Sequence, residues 1–204
     1  MVKIAVLVSG GGTNLQALID AETRGELGCG KLTLCIASND KAYALTRAQN
    51  HGMKTAVVSK KGYDGMGAYA QALLDVLHAE GIELIILAGF LTILPTTVIA
   101  QYRDRIINVH PSLIPSFCGE GFYGLKVHEA ALNYGVKVTG ATVHMVSEVV
   151  DGGRILLQKA VDVLEDDTPE TLQKRVMQQA EWQLLPKAAA MLCDDIAREK
   201  ENKN

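Results

Sequence analysis

The chain has 204 residues, 48% of them apolar, which is enough for one domain with a full core of its own. A formal net charge of −3 argues against a surface built to hold nucleic acid, and no apolar run reaches the roughly 20 residues that cross a bilayer. Cys29, Cys35, Cys118 and Cys193 form no Cys-x-x-Cys pair and no zinc-spaced cluster with His, and no leader pattern follows Met1-Val2-Lys3, so a soluble, cytoplasmic protein with reduced thiols, no metal and small-molecule chemistry is expected.

Lys3 to Val8 is a short apolar run followed by glycines and reads as a strand buried on both faces. A helix should follow, with Leu15, Leu18 and Ile19 on one face and Thr13 or Asn14 as its cap. The alternation continues with strand 32–37, helix 42–51, strand 55–58, helix 68–79 and strand 84–87. All-apolar strands with helices between them call for an α/β domain of Rossmann-like type, a mostly parallel central sheet with helices on both faces, and its ligands belong at the C-terminal strand ends. The second half is less regular: strand 105–109, a Gly- and Pro-rich loop to Gly124, helix 127–134, and strands 138–146 and 155–163 that extend the sheet with one antiparallel member. Thr168-Pro169-Glu170 starts a helix that should run to about Ala197, broken or kinked at Pro186. Residues 198–204 read as a charged, frayed tail beyond a single domain of residues 1–197.

Ser9-Gly10-Gly11-Gly12-Thr13-Asn14 ends the first strand and opens the first helix. Glycines admit an anion close to backbone N–H groups, and a helix N-terminus adds partial positive charge, so this is a phosphate site. The third glycine of the dinucleotide fingerprint is replaced by Leu15, and no acidic residue ends the second strand, so a phosphate monoester fits better than NAD. Gly25 to Leu32 nearly spells a P-loop, but Leu32 stands where a hydroxyl is needed and Lys31 opens a strand.

Asn108-Val109-His110-Pro111-Ser112-Leu113-Ile114-Pro115 closes a strand with an amide and an imidazole on one face, Val109 turned into the core. Asp151, in the turn Val149-Val150-Asp151-Gly152-Gly153, supplies a carboxylate that would favour an imidazolium, and Asn, His and Asp together suit acyl transfer. His144 reads as structural and His128 as a surface or locally bonded residue. No Gly-x-Ser-x-Gly occurs, so direct attack by a bound amine is preferred to a serine intermediate. A phosphate-binding module on the same scaffold would need only the first loop, and hydrolysis of the acyl donor by water is the competing reaction.

With Ser9-Gly-Gly-Gly-Thr-Asn-Leu-Gln16, Leu87-Ala-Gly-Phe90, Asn108-x-His-Pro-Ser-Leu-x-Pro115, Thr139-Gly-Ala-Thr-Val-His144 and Asp151-Gly-Gly153, the chain resembles the folate-dependent formyltransferases nearly end to end. The phosphate loop, in a chain with no appended domain, selects the branch that acts on a ribonucleotide. The resemblance implies that Gly12, Thr13 and Asn14 hold the phosphate of glycinamide ribonucleotide, that Gly89 belongs to the same substrate site, and that Glu181 bonds the ribose hydroxyls. It implies that Leu91, Thr92, Ile93 and Leu94, with Asn108 and the loop before Asp151, line the pterin slot of 10-formyltetrahydrofolate, the co-substrate. It further implies that Asn108 and protonated His110 stabilise the oxyanion while Asp151 relays a proton through water. No nucleic acid or membrane partner is implied, and one copy or two is left open. Many relatives carry an Arg at the folate site where this chain has Met66; either Lys60 or Lys61 substitutes for it or the folate tail binds differently. The loop 116–124 is longer than in some relatives and reads as a mobile lid.

Overall fold

The lengths of the apolar runs set the architecture, because each is too short for a helix and too apolar for a surface strand. The computed structural model describes residues 1–202 and holds one seven-stranded sheet in the order β3-β2-β1-β4-β5-β6-β7. The strands are β1 (Val2–Val8), β2 (Gly30–Ala37), β3 (Lys54–Val57), β4 (Leu84–Leu87), β5 (Ile106–His110), β6 (Val138–Met145) and β7 (Ile155–Asp162). The first five are parallel, and β6 runs antiparallel to both neighbours, so it is the one reversed member.

Side chains alternate across β1 into two cores. Ile4, Val6 and Val8 pack beneath α1 (Thr13–Thr23), α2 (Ala44–Asn50) and α7 (Trp182–Glu201); Ala5 and Leu7 pack against Tyr69, Leu73 and Leu77 of α3 (Gly65–Ala79). Burying each such Leu or Ile contributes roughly 1.5–3 kcal/mol, which is why β1 tolerates only Lys3 at its exposed edge. The chain leaves β1 towards β2 and β3 and later returns on the other side to β4, so the crevice between the ends of β1 and β4 is the point where the strand order reverses.

Several expectations need correction. A short helix, α4 (Thr96–Gln101), follows Pro95, and α5 (Leu125–Tyr134) starts two residues earlier than its apolar spacing indicated. Neither Thr13 nor Asn14 caps α1: its N-cap is Gly12, at φ 72°, and no side chain caps the first turn. Pro186 does not break the last helix. From Thr168, which forms a capping box with Thr171, the chain runs helically through α6 (Pro169–Val176) to Glu201, and the departure from α geometry is a π turn at Met177–Glu181. Pro186 removes an N–H early in α7, and the helix absorbs that loss within its first turns. The stretch 198–201 is helical rather than frayed, because Glu199 pairs with Arg105 and Lys200 with Glu83; residues 203–204 lie outside the described residues. Among the described residues no helix is long and apolar enough to cross a membrane.

Candidate active site

The end of β1 is tied to its neighbours by one hydroxyl. Ser9 Oγ accepts from Ser38 Oγ at 2.8 Å and from the Leu91 N–H at 2.9 Å, and the Ser9 N–H donates to the Gly89 carbonyl at 3.1 Å. The next two carbonyls turn toward α2: Gly10 O accepts from the Ala44 N–H at 3.2 Å and Gly11 O from Arg47 Nε at 2.9 Å. In a trans peptide the N–H points opposite to the C=O, so the amides of Gly11 and Gly12 face away from α2, as an anion cradle requires. Gly12 is obligatory here, since a Cβ on it would stand 2.6 Å from the Ala44 Cβ.

The Asn14 side chain turns to the last helical segment. Its Nδ2 donates one hydrogen to Glu181 Oε2 at 2.7 Å, while Thr13 Oγ1 points to the Met177 sulfur at 3.7 Å. Glu181 sits in the π turn and is buried; burial pushes its pKa up to about 7 against the opposing bond from Asn14. A π turn that presents a buried carboxylate beside an uncapped helix start is a common form of functional irregularity.

Two strands away, the alternation along β5 places Val109 in the core and Asn108 and His110 on the wall of a cleft of about 720 Å³. The antiparallel register sets His144 of β6 directly opposite Asn108. His144 Nδ1–H donates to the Met145 carbonyl at 2.9 Å, and its Nε2 stands 3.2 Å from Asn108 Nδ2. This makes His144 the group that orients the Asn108 amide. The periodicity reading had it only as structural, because the β5–β6 register was not visible there.

Asp151 closes the group. It has φ 53°, and the glycines after it are required by space: a Cβ on Gly153 would stand 1.8 Å from the Met145 carbonyl oxygen. Its Oδ2 lies 3.5 Å from His110 Nδ1 and accepts from the Gly119 N–H at 2.9 Å, and its Oδ1 lies 3.5 Å from His144 Nε2 and 3.4 Å from Asn108 Nδ2. Burial raises the Asp151 pKa, but the two imidazoles beside it, His144 and His110, and the Gly119 N–H together hold it below the ordinary value. For His110 burial wins over the raising effects of Asp151 and the Phe117 carbonyl, so its pKa lies below the ordinary value.

The cleft is lined by Leu91, Thr92, Ile93 and Leu94 on one side and by Gly119 to Gly124 and Val149 to Asp151 on others, with Gly89 at the edge shared with Ser9. Its size and apolar walls suit a ligand as large as a folate. Met66 does not belong to it: that residue lies exposed in the first turn of α3, and Lys60 and Lys61 form an exposed 3-10 turn away from the lining. The cation on the wall is Lys126, against the Tyr123 ring. His128 is not a surface residue. It is fully buried in α5 with neither ring nitrogen bonded among the described residues, and burial with the nearby His110 charge pushes its pKa down to about 4. Ser112 is no free nucleophile, because its hydroxyl donates to the Ser116 carbonyl at 2.6 Å.

A glycine loop at the end of β1 and an Asn-His-Asp group at the end of β5, with β4 between them, are the arrangement of a group-transfer enzyme on a Rossmann-like sheet. Comparison with known proteins gives the same class a family. The model of the family "Formyl transferase" matches residues 2–189, and the chain belongs to that family. It is 36% identical to the chloroplastic phosphoribosylglycinamide formyltransferase of Arabidopsis thaliana, over 98% of this chain and 68% of that protein. It is 39% identical to the trifunctional purine biosynthetic protein adenosine-3 of Bos taurus, over 98% of this chain but only 19% of that much longer protein. The crystal structure of glycinamide ribonucleotide transformylase 1 from Symbiobacterium toebii superimposes with a TM-score of 0.89 at 38% identity, over 96% of this chain and 89% of that one.

Proposed function

We propose that this enzyme transfers the formyl group of 10-formyltetrahydrofolate to the amine of glycinamide ribonucleotide, giving formylglycinamide ribonucleotide and tetrahydrofolate in purine biosynthesis. The observation that carries the reading is the joining of two sites through Ser9 and Gly89: an anion cradle at the end of β1 and, beyond β4, a cleft walled by Asn108, His110 and Asp151. Relatives named for this reaction support it. The cradle amides of Gly12, Thr13 and Asn14 hold the phosphate, Glu181 takes the ribose hydroxyls as acceptor, and the apolar wall from Leu91 to Leu94 takes the pterin.

In the transfer the substrate amine forms a bond to the formyl carbon, and the carbonyl oxygen becomes an oxyanion facing an N–H of Asn108. The amine proton passes to neutral His110, and the imidazolium so formed supports the oxyanion, stabilised by Asp151 across 3.5 Å. The same proton then goes to the folate nitrogen as its bond to the formyl carbon breaks. Charge is thus created next to an ionised carboxylate in a buried site, where its stabilisation is largest.

The test is an assay of purified protein with 10-formyltetrahydrofolate, with and without glycinamide ribonucleotide. Formyl transfer that requires both is expected. Equal loss of formyl groups without the amine would establish hydrolysis by water instead.

A further inference from the structure

His110 meets one acceptor at each ring nitrogen, and the two are unequal. The Phe117 carbonyl lies 2.8 Å from Nε2, a full hydrogen bond, whereas Asp151 Oδ2 lies 3.5 Å from Nδ1, longer than one. A carbonyl can only accept, so Nε2 carries a proton in the neutral and the charged ring alike. The lone pair of the neutral ring is then on Nδ1, on the side of Asp151.

The loop that supplies this carbonyl is built to keep it there. Phe117 has φ 50°, a left-handed backbone that bulky side chains rarely adopt and that persists only where its surroundings impose it. Its ring packs against Phe122 at 6.5 Å and Tyr134 at 5.9 Å between centroids, and the Ser112 hydroxyl holds the preceding residue's carbonyl. Two residues on, the Gly119 N–H donates to Asp151 Oδ2. One short stretch of main chain therefore grips the imidazole with an acceptor and the carboxylate with a donor.

Resting on the formyl-transfer reading above, we propose that Phe117 is a positioning residue, whose left-handed main chain keeps the His110 proton on Nε2 and thereby makes Nδ1 the nitrogen that takes up and returns the transferred proton. The loop 116–124 is on this reading a clamp on the catalytic pair as well as a wall of the cleft. The charged and titratable groups that bear on His110 are Asp151 from the β6–β7 turn, His144 from β6 and His128 from α5, with Glu120, Tyr123, Lys126 and Glu148 on the walls of the same cleft. None of these bonds Nε2, so the tautomer rests on the Phe117 carbonyl.

Phe117→Asn and Phe117→Val both remove the ring, but Asn tolerates positive φ and a β-branched Val does not. Imidazole 15N NMR of histidine-labelled protein should show neutral His110 protonated on Nε2, with Nδ1 titrating, in the wild type and in Phe117→Asn. In Phe117→Val the tautomers should mix, the His110 pKa should fall for want of an acceptor, and kcat should drop roughly tenfold below that of Phe117→Asn, with both KM values moving less than about threefold. The acid limb of the kcat profile should move to lower pH with the His110 pKa. A wild-type ring protonated on Nδ1, or a Phe117→Val enzyme matching Phe117→Asn in pKa and kcat, would overturn the proposal. If Phe117→Val does not fold, the wild-type and Asn spectra decide the matter alone. Absence of formyl transfer in the wild type would instead sink the functional reading and leave the tautomer measurement standing.

Discussion

The two halves of the site are built by opposite means. The proposed anion cradle is six consecutive residues, Ser9 to Asn14, whose main-chain amides are held by strand ends and α2. The half proposed to be catalytic draws Asn108 and His110 from β5, His144 from β6, Asp151 from a turn and Phe117 and Gly119 from a loop. A local site depends on backbone shape and should fail when its shape is spoiled. A site assembled from distant segments depends on each charge and proton in it, and should fail when one charge is lost though every shape is kept.

The largest effect that would sharpen this contrast is in the catalytic half. Asp151→Asn preserves size and removes the charge that stabilises the His110 imidazolium, and kcat should fall by about 10²-fold or more while both KM values stay within a few-fold. Steady-state kinetics checks this, and a normal kcat would break the assignment. Gly12→Val should act in the other half, through shape: the new side chain meets Ala44 and must sit at φ 72°, so the KM for the phosphorylated substrate should rise by about 10²-fold with the folate KM little changed. Equal rises in both would count against a separate cradle.

A smaller effect is expected one step further out. Arg47→Ala frees the Gly11 carbonyl and removes the bond to Gln16 Oε1, so the peptide that presents the Gly12 amide loses its anchor. The KM for the phosphorylated substrate should rise roughly tenfold with kcat nearly constant, the size of one charge-assisted hydrogen bond. Competition by inorganic phosphate should weaken in parallel, which isolates the cradle from the chemistry.

Glu181 gives the mildest and most condition-dependent effect. Its pKa is about 7 in the folded protein against an ordinary 4.5, so the folded state binds the proton more tightly than the unfolded chain. The sign follows: its contribution is most favourable below pH 4.5 and is lost as pH rises to about 7, above which a buried charge opposes folding. Glu181→Gln should therefore gain on the order of 2 kcal/mol relative to wild type at pH 8 and nothing at pH 4, read as the difference between urea midpoints of the two proteins. The same variant should bind the ribonucleotide more weakly, since an anionic acceptor is replaced by a neutral one.

The glycine loop that opens α1 was legible in the residues because it follows an apolar strand directly, and so was the shared face of Asn108 and His110, since alternation along one strand determines which side chains share a face. Other features were not. His128 looked like a surface residue because nothing local marks a helix residue that α5 buries completely. The capping roles given to Thr13 and Asn14 failed because Asn14 spends its side chain on Glu181, 167 positions away. Pro186 looked like a break because proline propensity is local, while the packing of α7 across the sheet overrides it.

What the sequence determined by itself is therefore most of the chain of strands and helices, the parallel sheet, the loop proposed to bind the anion and two of the side chains proposed as catalytic, all of which depend on period and neighbour chemistry within a few residues. Only the tertiary structure decided that His144 stands across from Asn108, that Asp151 reaches His110, and that a strained phenylalanine lends its carbonyl to the imidazole. Those facts turn on register between β5 and β6, on the path of two turns and on a main-chain atom common to every residue. No pattern of side chains encodes them, because they arise when segments far apart in sequence are pressed against one buried core.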